Sequence, residues 1–355
     1  MVVNKVFHYQ EEFPLESGRS LPGLQLQYTT FGTMNVAKNN VVWVCHAFSG
    51  NSDFTEWWSG LFGEGKLFDP NDHFVVCVNM PGGCYGSTGP LSENPETGNL
   101  WFHDFPVLTN RDMVNSFELI RQHLSIDRIH TVIGCSMGGQ HAIEWCVARP
   151  DVFEHLIAIG ANAKHSPWAI AFNETQRMAI AADQTWKERK ENAGIEGMKA
   201  ARAVGLLSYR NYNCYDAKQQ ETSDEVFDHF RAASYQNYQG LKMQKRFNAF
   251  SYYFISKAMD SQNVGRGRGG VEKALQRIKA KSLFLGIESD ILFPVSEQKY
   301  LAEKVAGGTF KTIDSIYGHD GFLLEFEKLT TTISQFYRDA QAMNHLKGIQ
   351  RVAGA

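Results

Sequence analysis

Residues 131–139 read TVIGCSMGG, a run of β-formers that ends on a serine held between glycines. A chain that needed only a core strand and a turn is served by Asn-Gly or Asp-Gly. The spelling here is G-x-S-x-G, over Gly134, Cys135, Ser136, Met137 and Gly138. That pattern suits a nucleophile elbow, in which a strand turns sharply into a helix and lifts the serine hydroxyl above the sheet edge. So tight a turn leaves no room for Cβ atoms two residues to either side, hence the flanking glycines. Both flanks agree. RIHTVIGC (128–135) reads as a strand by its β-branched content. MGGQHAIEWCVARP sets Ala142, Ile143, Trp145, Cys146 and Val147 in a helix-length run closed by Pro150. A helix starting at Met137 points free N–H groups and its positive dipole end at Ser136. The five-residue pattern alone also fits a plain strand–loop–helix junction; its context favours the catalytic reading.

The surrounding chain supplies a matching frame. NVVWVCHAF (40–48), HFVVCVNM (73–80), RIHTVIGCS (128–136) and HLIAIGA (155–161) are continuously apolar, which marks strands buried on both faces of a largely parallel sheet. GLQLQYTTFG (23–32) alternates apolar and polar residues, as an antiparallel edge strand does. From residue 165 the strand-like runs stop. Helix-length segments follow for about a hundred residues, to the glycine-rich GRGRGG (265–270), which reads as a flexible linker rather than a phosphate loop. KSLFLGI (281–287), a helix from Pro294 to about Val305, TFKTID (309–314) and a last helix from Gly321 restore the sheet pattern. The expected division is an α/β core over 1–164 and 276–355, with a helical lid over 165–275.

At 355 residues, 43% of them hydrophobic, the chain can bury a sizeable core. Lys and Arg number 35 against 38 Asp and Glu. The resulting charge of −3 points to neither nucleic acid nor an anionic membrane as partner, so a small substrate is expected. The opening MVVNKVFHYQEEFPLESG lacks the apolar core of a signal peptide, and no run reaches the ~18 apolar residues of a membrane span. A cytoplasmic location is the expectation. Cys45, Cys77, Cys84, Cys135, Cys146 and Cys214 are scattered, with no C-x-x-C pair and no His/Cys cluster at zinc spacing, so no metal is expected. Cys84 and Cys135 are read as packing residues rather than reactive thiols.

A serine hydroxyl needs a histidine base, and that histidine a carboxylate to set its tautomer. In this architecture the order along the chain is serine, acid, histidine. Of twelve histidines, His319 and His345 follow the acid region. His345 falls in the C-terminal tail, beyond the expected last helix, whereas His319 follows a strand in the glycine-flanked SIYGHDGF, and is chosen. GIESDILFP offers Glu288 and Asp290; Asp290 is preferred as lying past the strand, its alternative role being a turn or cap. His141, five residues after the serine, reads as a satisfied packing histidine. The oxyanion hole is expected from the backbone N–H of Met137 and one from VCHAFSGN, Phe48 being the preferred donor and Ala47 the alternative, with His46 supporting that loop.

With these residues in place, the chain resembles the homoserine O-acetyltransferases, acyltransferases built on the α/β-hydrolase fold. The resemblance runs from about residue 20 to 328 through HAFSGNSD…WW, NMPGGCYGSTGP, FPVLTNRDMV, GCSMGGQHAIEW, ARAVGLLSYR, KRFNAFSYYFISKAMD, GIESDILFP and YGHDGFLLE. It implies the triad Ser136, Asp290 and His319, and substrate contacts at Arg202, Asp320 and Tyr209. Arg202 can clamp the homoserine carboxylate and Asp320 its ammonium. It further implies acetyl-CoA as co-substrate, no bound cofactor, a place in methionine biosynthesis, and a homodimer paired through lids. The chain departs from the usual family pattern at Phe48, His141, Asn248 and Phe250. These departures bear on the tunnel lining, and so on acetyl- versus succinyl-CoA as donor and homoserine versus serine as acceptor.

Overall fold

The computed structural model describes residues 2–353, with side chains through residue 342. Its main sheet has eight strands: β1 (Val2–Tyr9), β2 (Leu24–Phe31), β3 (Val41–Cys45), β4 (Phe74–Val78), β5 (Ile129–Cys135), β6 (Phe153–Ile159), β7 (Lys281–Ile287) and β8 (Gly308–Ile313). Their order is β1-β2-β4-β3-β5-β6-β7-β8, with β1 and β2 antiparallel and the pairs from β4 to β8 parallel. The continuous hydrophobicity of the inner strands has its cause in two cores. Val41, Trp43, Val132 and Leu156 face one, where Trp43 meets Trp145 edge-on at 4.9 Å. Val42, Val44, Ile133 and Ile157 face the other, with Phe54, Trp58, Leu329 and Ile333.

Helices α1 (Asn110–His123), α2 (Met137–Ala148), α9 (Val295–Lys304) and α10 (Phe326–Ala353) accompany the sheet. Between β6 and β7 the chain forms α3 (Pro167–Ala181), α4 (Ile195–Tyr209), α5 (Tyr212–Gln219), α6 (Arg231–Gln244), α7 (Ala249–Asp260) and α8 (Val271–Leu275). Among the described residues no helix is long and apolar enough to cross a membrane.

The fold corrects four expectations. Strand β2 is not the sheet edge: β1, whose side chains are mostly exposed and whose mixed polarity hides it in the sequence, pairs outside it along its whole length. The last helix begins at Phe326, not Gly321, because Gly318–Leu323 winds into a tighter 3₁₀ turn that carries His319. That helix runs to Ala353, so His345 lies within it rather than in a tail; its side chain lies outside the described residues. GRGRGG is not a free linker. Arg266 grips Glu16 through two bonds of 2.9 Å, and Arg268 grips Glu144 at 2.7 and 2.9 Å, so both cations are ion-paired, on carboxylates they share with Arg111, and the segment is tied to the core.

Candidate active site

Ser136 joins β5 to α2 with φ 56° and ψ −127°, a backbone conformation that costs a non-glycine residue about 1–3 kcal/mol. The surroundings enforce it. The Ser136 amide donates to the Ile159 carbonyl at 2.9 Å, and the Ser136 carbonyl accepts from the Gln140 amide at 3.0 Å. A Cβ on Gly134 would strike the Gly138 backbone, and one on Gly138 the Cys45 carbonyl. The two glycines of the pattern are therefore demanded by how closely α2 crosses β3 and β5.

The 3₁₀ turn after β8 presents His319, and the loop after β7 presents Asp290. Nδ1 of His319 lies 2.6 Å from Asp290 Oδ2, both side chains buried. The other oxygen, Oδ1, accepts the amides of Leu292 (2.8 Å) and Phe293 (2.9 Å). Asp290 thus fills both roles weighed for it, turn residue and partner of His319, with one oxygen each. Glu288 is exposed and accepts from Thr312 Oγ1 at 3.0 Å instead. The His319 ring stacks on Phe293 and takes Phe322 edge-on, each at 5.1 Å. Trp58 Nε1 secures this turn by donating to the Phe322 carbonyl at 2.9 Å. With Nδ1–H given to Asp290, Nε2 keeps its lone pair, and it has no partner among the described residues.

Sequence reasoning passed over Gly160, which follows β6 in IAIGAN with φ +52°. A Cβ there would lie 3.2 Å from His319 Cε1, 3.3 Å from its Nδ1 and 3.4 Å from Asp290 Oδ2. Gly160→Ala combines left-handed strain of about 1–2 kcal/mol with a push on the His–Asp pair. Turnover should fall by about tenfold or more, given how steeply rate depends on placement, alongside a lowered denaturant midpoint. Unchanged turnover would show that the pair tolerates displacement.

Ser136 and His319 open on a cavity of about 450 Å³, also lined by Phe48, Arg202, Tyr209 and Asp320. The Arg202 guanidinium lies over the Tyr209 ring, 5.3 Å from its centroid, and that ring stands 6.0 Å from His319. Asp320 is buried and ion-paired at 3.2 Å with Arg210, a residue the sequence reading did not single out. Burial pushes the Asp320 carboxyl above its ordinary range, while Arg210, Arg202 and His319 pull it back.

His46 supports its loop as expected. Nε2 accepts the Met80 amide at 3.1 Å, which leaves Nδ1–H to meet the Ala47 carbonyl at 2.9 Å, and burial lowers its pKa to about 4. His141 packs edge-on against Phe117, but neither ring nitrogen has a partner among the described residues; burial holds it neutral, with a pKa of about 3. It is a packing histidine, though not a satisfied one. Of the four departures from the family pattern, Phe48 alone lines the cavity among the described residues. Asn248 caps α7 by accepting the Ser251 amide at 2.7 Å, and Phe250 packs against Phe102, His103 and Trp186. Cys135 is fully buried with its thiol pushed far up, and burial raises Cys84 to about 12, so neither is poised as a thiolate.

Far from the serine, at the start of β5 and β6, His130, Glu154 and His155 bring possible ligand atoms within 4.8 Å of one another, a group that sequence spacing did not reveal. Both Nδ1 atoms are engaged, by Thr131 Oγ1 (2.9 Å) and the His130 carbonyl (3.0 Å), and Arg128 stands 3.8 Å from Glu154.

Residues 40–326 match the family model of the alpha/beta hydrolase fold. The chain is 49% identical to a homoserine O-acetyltransferase of Cyclobacterium marinum, over 95% of each chain. Among solved structures it is similar to homoserine O-acetyltransferase from Bacillus anthracis, with TM-score 0.88 and 25% identity over 95% of this chain and 97% of that one. Esterase E22 is similar too, with TM-score 0.86 and 25% identity over 95% of this chain and 100% of that one. Near-complete coverage at this level of identity, on a sheet that carries the serine elbow, means that the chain belongs to the homoserine O-acetyltransferase family of α/β-hydrolase-fold enzymes.

Proposed function

We propose that this enzyme moves the acetyl group of acetyl-CoA to the hydroxyl of L-homoserine, in methionine biosynthesis, through an acyl-enzyme on Ser136. The observation that carries this reading is that one cavity gathers a serine, a histidine bonded to a buried carboxylate, and a separated cation and anion in Arg202 and Asp320. An esterase needs the first three; an amino-acid acceptor calls for the last two as well.

Nε2 of His319 takes the Ser136 proton as Oγ attacks the thioester carbonyl. The N–H groups of Phe48 and Met137 receive the oxyanion, the latter helped by the dipole of α2. Collapse breaks the C–S bond, and the His319 proton leaves with the thiol. Homoserine then binds with its carboxylate on Arg202, which the Tyr209 ring positions, and its ammonium on Asp320. His319 takes the homoserine hydroxyl proton, the alkoxide attacks the acetyl ester, and collapse breaks the bond from the acetyl carbon to Ser136 Oγ, which takes the proton back from His319. Asp290 holds the tautomer throughout. No bound cofactor enters these steps.

The division into a core over 1–164 and 276–355 and a lid over 165–275 is part of the proposal. It is supported by Arg202, Tyr209 and Met243, which line the cavity from helices between β6 and β7. Exposed Leu207, Tyr212, Phe230 and Tyr238 on or beside those helices suit pairing with a second copy. A cytoplasmic homodimer acting on small molecules, with neither nucleic acid nor membrane as partner, completes the reading.

Acetyl-CoA without acceptor should add one acetyl mass to the peptide carrying Ser136, and Ser136→Ala should abolish it. An adduct on Cys135 or Cys84 would reassign the nucleophile. Thiol release measured with acetyl- and succinyl-CoA against homoserine and serine then tests the substrate pair. The likeness to esterase E22 makes water the rival acceptor, judged by the same assay without an amino acid.

A further inference from the structure

The acetyl donor is far larger than the cavity. Some 450 Å³ holds an acetyl group, the thiol end of the donor arm and a small amino acid, but not a nucleotide with a diphosphate and a ribose phosphate. Those anionic groups must rest outside, against the mouth. Two further cations line the cavity there, both exposed: Lys242, in the last turn of α6, and Arg246, just beyond it.

Arg246, like Arg202, differs in its surroundings from the arginines that meet carboxylates. Arg210, Arg266 and Arg268 are each matched by a carboxylate. Arg246 is held by neutral oxygens only: Nη1 donates to the Ser49 carbonyl at 2.7 Å and to Tyr85 Oη at 2.8 Å, and Nη2 to Ser49 Oγ at 3.3 Å. These bonds fix the guanidinium on the loop that follows Phe48, yet leave Nε–H and the second hydrogen of Nη2 without an acceptor and the charge without a paired carboxylate among the described residues. Lys242 has no ion-pair or hydrogen-bond partner among the described residues. Among the described residues Glu56 is the one carboxylate besides Asp320 that lines the cavity, and it too is exposed, so against Arg202, Lys242 and Arg246 the described lining keeps an excess of positive charge.

Resting on the acetyl-CoA reading above, we propose that Lys242 and Arg246 form the seat for the phosphate groups of the donor. Arg246 offers a fixed planar donor for phosphate oxygens, and Lys242 a mobile point charge one helical turn away. The seat lies on the side of the mouth formed by α6 and the Ser49 loop. The arm then enters past Phe48 and Met243 towards Ser136, which leaves Arg202 to the acceptor.

The test compares two donors: acetyl-CoA, and S-acetyl-N-acetylcysteamine, which keeps the thioester and lacks every phosphate. Lys242→Ala should raise KM for acetyl-CoA about tenfold and Lys242→Glu more, the effect shrinking at high salt. Efficiency with the cysteamine thioester should stay within about twofold of wild type. Arg246→Lys, which keeps the charge but not the fork, should also weaken acetyl-CoA selectively. Equal losses with both donors would show a merely structural role, and no loss with either would place the phosphates elsewhere; each result overturns the seat. Calorimetric binding of adenosine 3′,5′-bisphosphate supplies a readout that needs no turnover: it should weaken in Lys242→Glu, and equal binding again overturns the proposal. Failure of the functional reading looks different, because wild-type enzyme would then release no thiol from acetyl-CoA whether or not the bisphosphate binds.

Discussion

Asp290→Asn should lower turnover by about 10⁴-fold while leaving the fold intact. The two oxygens of Asp290 explain why so small a change does so much. Oδ1 accepts two backbone amides and Oδ2 faces Nδ1 of His319. An asparagine at 290 keeps its carbonyl oxygen on the two amides, since the reverse orientation sets its NH₂ against two N–H donors. Its NH₂ then points at Nδ1, which must accept instead of donate. The proton moves to Nε2, the atom that has to take the serine proton, and the base is lost. The turn survives, so the thermal midpoint should move little. Glu288→Gln is the control: an exposed carboxylate bonded to Thr312 should matter hardly at all. If Glu288→Gln did the greater damage, the acid would have to be reassigned.

Arg202→Ala should separate transfer from hydrolysis. Arg202 has no carboxylate partner in the free protein among the described residues; its guanidinium rests on the Tyr209 ring beside the reacting groups. Truncating it leaves Ser136, His319, Asp290 and the backbone donors untouched, so the acetyl-enzyme still forms. Its capture by homoserine loses a charge-assisted pair worth roughly 2–5 kcal/mol when the partner is left alone, or about 30- to several thousand-fold. Steady-state transfer should fall by that factor, with background hydrolysis of acetyl-CoA little changed. Asp320 is the less clean target than sequence reasoning suggests. Besides adjoining His319, it is buried against Arg210, so Asp320→Asn disturbs an existing ion pair before any substrate arrives. Near-normal transfer in Arg202→Ala would remove the acceptor clamp and favour the esterase alternative.

The elbow was legible because its determinants are local. A β-branched run, two glycines and an apolar helical stretch specify strand, turn and helix within about twenty residues of Ser136. The inner strands were legible for a similar reason, since burial on both faces leaves no room for polar alternation. Strand β1 escaped notice because an edge strand with mostly exposed side chains carries no such signal.

Contacts between distant segments were decided by the tertiary structure. That Asp290 serves turn and histidine together depends on β7 and β8 lying side by side in register, Ile287 opposite Ile313. That Gly160 must lack a side chain depends on the same two loops closing over the end of β6. The pairing of Asp320 with Arg210 and the pinning of GRGRGG by Glu16 and Glu144 follow no spacing rule, and Glu16 and Arg266 stand 250 residues apart in the chain. Local sequence sets backbone preference through sterics and hydrophobic period, over a few residues at a time. Which charges then meet is set by how the helices between β6 and β7 close over the sheet, and that is a property of the packed chain.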